Sequence, residues 1–146
     1  MPAPYDAVLF DFDGVLIDSE PVHFECWREI VAAYGITLDW PTYCQKGIGV
    51  ADRAMLQFLC EQATPPIEVD RLVGEYPRKK QMFLERMLAD PLITADVRRL
   101  VAELSTTHKL AVVTSSGRSE VEPLLEAAGI LPYFQTGIYS QDVQKK

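Results

Sequence analysis

The stretch AVLFDFDGVLIDSEP, residues 7–21, decides the fold. Four apolar residues, Ala7 to Phe10, run straight into two aspartates one residue apart, Asp11 and Asp13, and Gly14 follows. The apolar run predicts a short buried strand over residues 6–10, apolar on both faces. Side chains two apart on an extended chain point the same way, so both carboxylates are expected together at the strand's C-terminal end. In open parallel sheets that is the end where ligands bind. Two adjacent carboxylates repel each other, and a cation relieves the repulsion. Hard oxygen ligands suit Mg2+, which keeps waters and takes one or two carboxylates plus a substrate phosphate. One carboxylate could attack phosphorus, and the other could hand a proton to the leaving oxygen. The same pattern also fits a strand that simply ends in a capped turn, so a second feature must decide.

That feature is LAVVTSSGRSE, residues 110–120. An apolar strand, 109–113, ends in Thr114, Ser115, Ser116 and Gly117, and a helix follows. Hydroxyls and free backbone N–H groups at a helix N-terminus can cradle a phosphate; ordinary cap and loop residues are the competing reading. Val121, Leu124, Leu125 and Ala128 predict the helix, with Ser119 and Glu122 as its capping box and Gly129 and Pro132 as its stop. Residues 136–140 predict a third strand. Val97, Leu100, Val101 and Leu104 predict a helix before the second strand. Strand and helix alternation predicts an α/β fold with a parallel sheet. Between about residues 20 and 90 the patterns are helical: Phe24, Trp27, Val31 and Tyr34 on one helix closed by Gly35, and Met55, Leu56, Phe58 and Leu59 on another. A break follows at Pro65–Pro66, and a third helix over 68–88 is interrupted near Pro77.

Composition narrows the function. A hydrophobic share of 48% with 24% charged residues suits a soluble globular chain. No apolar run nears the ~20 residues of a membrane span, and the N-terminus lacks signal-peptide features, so a cytoplasmic location is expected. The net charge of -7 argues against nucleic-acid binding but leaves room for a small anionic substrate. Cys26, Cys44 and Cys60 form no CxxC pair and read as buried free thiols.

FDFDGVLIDSEP followed about a hundred residues later by LAVVTSS resembles the haloacid dehalogenase-like (HAD) hydrolase superfamily. Its phosphoglycolate phosphatase and β-phosphoglucomutase-like branch is the nearest match. DSEPVHFECW, YGITL and KGIGVADR resemble that branch's helical cap. The resemblance implies a Rossmann-like core from 1–16 plus 91–146 and a helical cap over 17–90. It implies Asp11 as nucleophile, Asp13 as general acid/base and Thr114 as a hydrogen-bond donor to the transferred phosphoryl. It also implies Mg2+ held by the Asp11 side chain and the Asp13 backbone carbonyl. Gly14, Ser115 and Ser116 would line the phosphate site. His23 and Lys46 sit where cap groups of similar enzymes face the substrate, and Arg118 could meet an anionic group; a solvated surface position is the alternative for each. Asp18 and Ser19 would fix the hinge into the cap.

The implied activity is a Mg2+-dependent phosphatase acting on a small phosphorylated metabolite through an aspartyl-phosphate. A phosphomutase, or a catalytically incomplete fragment, are the alternatives. The family's third motif, a lysine, and its fourth, an acidic pair, are expected beyond YSQDVQKK; Lys145 or Lys146 would serve only with a shifted register. The family's strand order then leaves residues 7–10 as an apolar edge, a template for pairing with a missing C-terminal fragment or a second copy.

Overall fold

The computed structural model describes residues 4–90 and 93–143. Its sheet is built on β2 (Lys109–Val113), which pairs in parallel with β1 (Ala7–Phe10) on one side and β3 (Phe134–Ile138) on the other. Ala7 faces Lys109 and Phe10 faces Val112, which sets the two strand ends Asp11 and Thr114 at the same C-terminal end of the sheet. Parallel neighbours need crossovers, and α7 (Arg118–Ala127) supplies the one from β2 to β3. Before β2 runs α6 (Ala95–Ser105), capped by Thr94, whose hydroxyl accepts from the Val97 N–H at 3.3 Å.

Three expectations for this part need correction. β1 is not buried: Leu9 is 68% exposed and Ala7 is exposed, because only β2 pairs with it among the described residues. An edge strand keeps its outer side in water whatever its composition. β3 lies two residues earlier than expected. Phe134 packs edge-on against Phe10 at 6.0 Å, whereas the Tyr139 N–H donates to Asp142 at 2.9 Å and leaves the ladder. Residues Ser140–Asp142 then form a single 3-10 turn. Lastly, α7 starts at Arg118 with Gly117 as its cap. Glu120 accepts the Gly117 N–H at 3.3 Å, while Glu122 is drawn instead to Arg118 and Tyr139. Val121, Leu124 and Leu125 form its buried face as the periodicity requires.

The chain divides into two compact units, Met1–Ser19 with Met87–Lys146, and Glu20–Arg86. The second unit is helical. α1 (Glu20–Ala32) buries Phe24, Cys26, Trp27, Ile30 and Val31. α3 (Asp52–Gln62) adds Met55, Leu56, Leu59 and Cys60, and Leu72 comes from α4 (Val69–Val73). α2 (Trp40–Lys46), not expected from periodicity, is capped by Asp39, which accepts the Thr42 N–H at 2.8 Å. The break within 68–88 falls at Gly74 and Glu75. Pro77 instead sits in the first turn of α5 (Tyr76–Ala89), where its missing N–H costs nothing. Of the three cysteines, Cys26 and Cys60 are buried as expected, but Cys44 on the short helix α2 is exposed. Burial pushes the Cys26 and Cys60 thiols up, so neither is poised as a thiolate.

Candidate active site

Asp11 follows the last residue of β1 and is exposed. Its Oδ1 accepts the Phe12 N–H at 2.7 Å. Phe12 itself is buried, and the chain bends there between the two aspartates. The chain then closes on itself. Gly14 takes φ +75°, a left-handed conformation that a residue with a Cβ adopts only under strain. Its N–H donates to the Ile17 carbonyl at 2.8 Å, and the Leu16 and Ile17 N–H groups return to the Phe12 carbonyl at 3.0 and 3.3 Å. Leu16 and Ile17 are buried, which anchors the loop. The turn delivers Ser19, also buried, back to Asp13: Ser19 Oγ donates to Asp13 Oδ1 at 2.5 Å.

The β2 end meets this loop. Ser116 Oγ donates to Asp13 Oδ2 at 2.5 Å, joining side chains 103 residues apart. Thr114 is buried, and its Oγ1 accepts the Ser116 N–H at 3.0 Å. That occupies a lone pair and leaves the hydroxyl hydrogen as the group Thr114 can offer. Ser115 is exposed between them. Asp13, Thr114 and Ser116 thus form one connected set, with Asp11 two residues from Asp13.

The loop carrying Ser116 is braced from β3. The Ser140 N–H donates to the Ser116 carbonyl at 3.0 Å, and the Arg118 N–H to Gln141 Oε1 at 3.2 Å. The Arg118 guanidinium lies 4.5 Å from the centre of the Tyr139 ring and donates to Glu122 Oε1 at 2.7 Å, the same oxygen that takes the Tyr139 hydroxyl at 3.1 Å. Burial, then the Glu122 bond, raises the Tyr139 phenol above its ordinary value. Arg118 is therefore engaged within its own helix and against Tyr139.

In the helical unit, Lys46 is exposed in the last turn of α2, its Nζ 5.0 Å from the centre of the Phe58 ring. His23 on α1 stacks flat on Phe83 with ring centres 4.0 Å apart. Its Nδ1 lies 2.7 Å from Nζ of Lys79, a residue the sequence did not single out. Lys79 is only 5% exposed and sits over the Trp27 and Phe83 rings at 5.8 and 5.3 Å. A buried lysine four residues from Glu75 on a charged segment, YPRKK, reads as solvated in sequence, which is why it was missed.

For a metal, the described residues contain no group of three or more His, Cys, Asp or Glu side chains suited to hold an ion. An exposed Asp11 carboxylate with the adjacent Asp13 backbone is the sparse oxygen set that Mg2+ tolerates when waters and a substrate phosphate complete its shell. The donor chemistry fits. Lys145 and Lys146 lie outside the described residues.

The model of the haloacid dehalogenase-like hydrolase family matches residues 8–146. The chain belongs to that family. It is 28% identical over 141 residues to a phosphorylated carbohydrates phosphatase of Thermotoga maritima, covering 95% of this chain and 63% of the relative. It is 26% identical over 140 residues to the fructose-1-phosphate phosphatase YqaB of Escherichia coli, covering 96% and 72%. Among solved structures, the β-phosphoglucomutase of Clostridium difficile superposes with a TM-score of 0.73 at 19% identity, over 97% of this chain and 64% of that one. CbbY of Rhodobacter sphaeroides gives a TM-score of 0.73 at 22% identity, over 97% and 66%. These two likenesses establish a shared α/β fold. The chain spans roughly two thirds of the length of the proteins it matches.

Proposed function

We propose that the chain carries the phosphoryl-transfer residues of a phosphatase acting on a small phosphorylated metabolite, a sugar phosphate being the best-supported class. The observation that carries this is the hydrogen bond from Ser116 to Asp13, which joins the DxD strand end to the hydroxyl-bearing strand end. The two phosphatase relatives, named for carbohydrate and fructose phosphates, support the substrate class.

In this reading Asp11 Oδ attacks phosphorus, the Asp11–phosphorus bond forms, and the bond to the leaving oxygen breaks. Asp13 supplies the proton that oxygen needs, and the deprotonated Asp13 then takes a proton from the water that cleaves the aspartyl-phosphate. Thr114 donates its hydroxyl hydrogen to the phosphoryl group. Mg2+, held by the Asp11 carboxylate and the Asp13 carbonyl, would neutralise phosphate charge when bound. The helical unit Glu20–Arg86 would act as a cap, with His23 and Lys46 as its candidate substrate groups and water exclusion as its contribution. Among the described residues β1 pairs only with β2, and its other side is where further polypeptide, or a second copy, would pair. A cytoplasmic location suits such a substrate; no helix among the described residues is long and apolar enough to cross a membrane.

The test is hydrolysis of a panel of phosphate esters with Mg2+. Turnover is expected for wild type and its loss for Asp11→Asn. Activity surviving in Asp11→Asn would remove Asp11 from the nucleophile's role. A phosphomutase would instead interconvert sugar phosphates without releasing inorganic phosphate.

A further inference from the structure

We infer that Ser116 is a positioning residue for Asp13 and not a contact for the substrate phosphate; this rests on Asp13 being the acid/base. The Asp13 carboxylate receives a hydroxyl on each oxygen, Ser19 on Oδ1 and Ser116 on Oδ2, both at 2.5 Å. A donor on each oxygen holds the plane of the carboxylate more firmly than a donor on one. Ser19 reaches it across the Gly14–Ile17 turn, and Ser116 reaches it from the other strand end.

Ser116 is itself held. Its N–H is taken by Thr114 Oγ1, and its carbonyl accepts from Ser140, which stands in the turn that the Tyr139–Asp142 bond closes. Its hydroxyl is thereby aimed by a backbone fixed on both sides. A serine hydroxyl has one hydrogen. While that hydrogen is given to Asp13 it is not available to a phosphate dianion, which requires donors. The exposed Ser115 and the Thr114 hydroxyl remain to meet the substrate.

The consequence is specific to proton transfer. A p-nitrophenyl ester loses its leaving group with little need of a proton, whereas an alkyl ester such as a sugar phosphate needs one as the bond breaks. Ser116→Ala is expected to lower kcat on the alkyl ester about tenfold more than on the aryl ester, a fraction of the ~100- to 10,000-fold that acid catalysis supplies. Ser116→Thr, which keeps the hydroxyl, is expected to restore the ratio. A rise in KM of similar size for both esters, with kcat intact, would mean that Ser116 binds phosphate and would overturn the inference.

Asp13→Asn in the same panel separates the two claims. If it shows the alkyl-selective loss while Ser116→Ala lowers both esters equally, Asp13 keeps its role and the positioning role of Ser116 fails. If Asp13→Asn shows no selectivity, Asp13 is not the acid and both fail. Crystal structures provide a readout without turnover: in wild type the carboxylate lies between the two hydroxyls, and in Ser116→Ala it rotates away from that plane. An unmoved carboxylate would overturn the inference.

Discussion

Gly137→Ala places a methyl where the structure has no room. A Cβ on Gly137 would lie 2.5 Å from Tyr139 Oη, 2.6 Å from Cζ and 2.7 Å from Cε2, against 3.4–4 Å for ordinary contact. The ring cannot step aside cheaply. Tyr139 is 2% exposed, its hydroxyl is bonded to Glu122, and the Arg118 guanidinium covers its face. Overpacking costs about 1–3 kcal/mol, and an overlap this deep against a held ring belongs to the upper part of that range, about 2–3 kcal/mol. The better strand propensity of alanine offsets about 0.5–1 kcal/mol, leaving a net loss of about 1–2 kcal/mol. Both tryptophans, Trp27 and Trp40, lie in the Glu20–Arg86 unit, so their fluorescence reports the wrong part of the molecule. Amide hydrogen exchange in α7 and β3 is the suitable assay, and about 1–2 kcal/mol corresponds to roughly five- to thirtyfold faster exchange there. In a Tyr139→Ala background the same glycine substitution should be neutral or mildly stabilising, because the clashing ring is gone. Unchanged exchange in Gly137→Ala, or an equal loss in both backgrounds, would refute the packing argument.

Three further outcomes are expected. Chelation of divalent cations should abolish ester hydrolysis and Mg2+ should restore it; activity unaffected by a chelator would exclude the metal role assigned to Asp11. Burial pushes the Tyr76 phenol from 10.0 up to about 12. The unfolded chain therefore loses that proton first, and stability should fall as pH rises from 10 toward 12; Tyr76→Phe should flatten this part of the urea midpoint profile. The bonds from Thr42 hold the Asp39 carboxyl below its ordinary value. Its contribution should be present above pH 4 and vanish as pH falls through the lowered value, a dependence lost in Asp39→Ala and visible in the fluorescence of Trp40, the first residue of α2.

Much of the core was legible because its signals are local. Ala7–Phe10 and Lys109–Val113 are apolar runs ended by charge or hydroxyls, and both strands appear within a residue of expectation. Phe134–Ile138 was harder: Tyr139 continues the apolar pattern in sequence, and only its bond to Asp142 takes it out of the ladder. The α7 cap had the right chemistry in the wrong register, since Glu120 and Glu122 are equivalent until Arg118 and Tyr139 claim one of them. Seven-residue α2 has a single buried side chain, Tyr43, too few for a period, although Asp39 and Pro41 were readable start signals. At the site, the strand ends carrying Asp11, Asp13, Thr114 and Ser116 follow from sequence pattern. The Ser116–Asp13 bond and the Lys79–His23 pair do not, because they join residues 103 and 56 positions apart.

The central claim is that Asp11 is the group phosphorylated during turnover. Borohydride reduction during steady-state hydrolysis of a sugar phosphate, followed by peptide mapping, tests it directly, since reduction of an aspartyl-phosphate converts that aspartate to homoserine. Homoserine is expected at position 11 and nowhere else. A chain that turns over substrate with the modification at position 13, at another carboxylate, or at none would contradict the account.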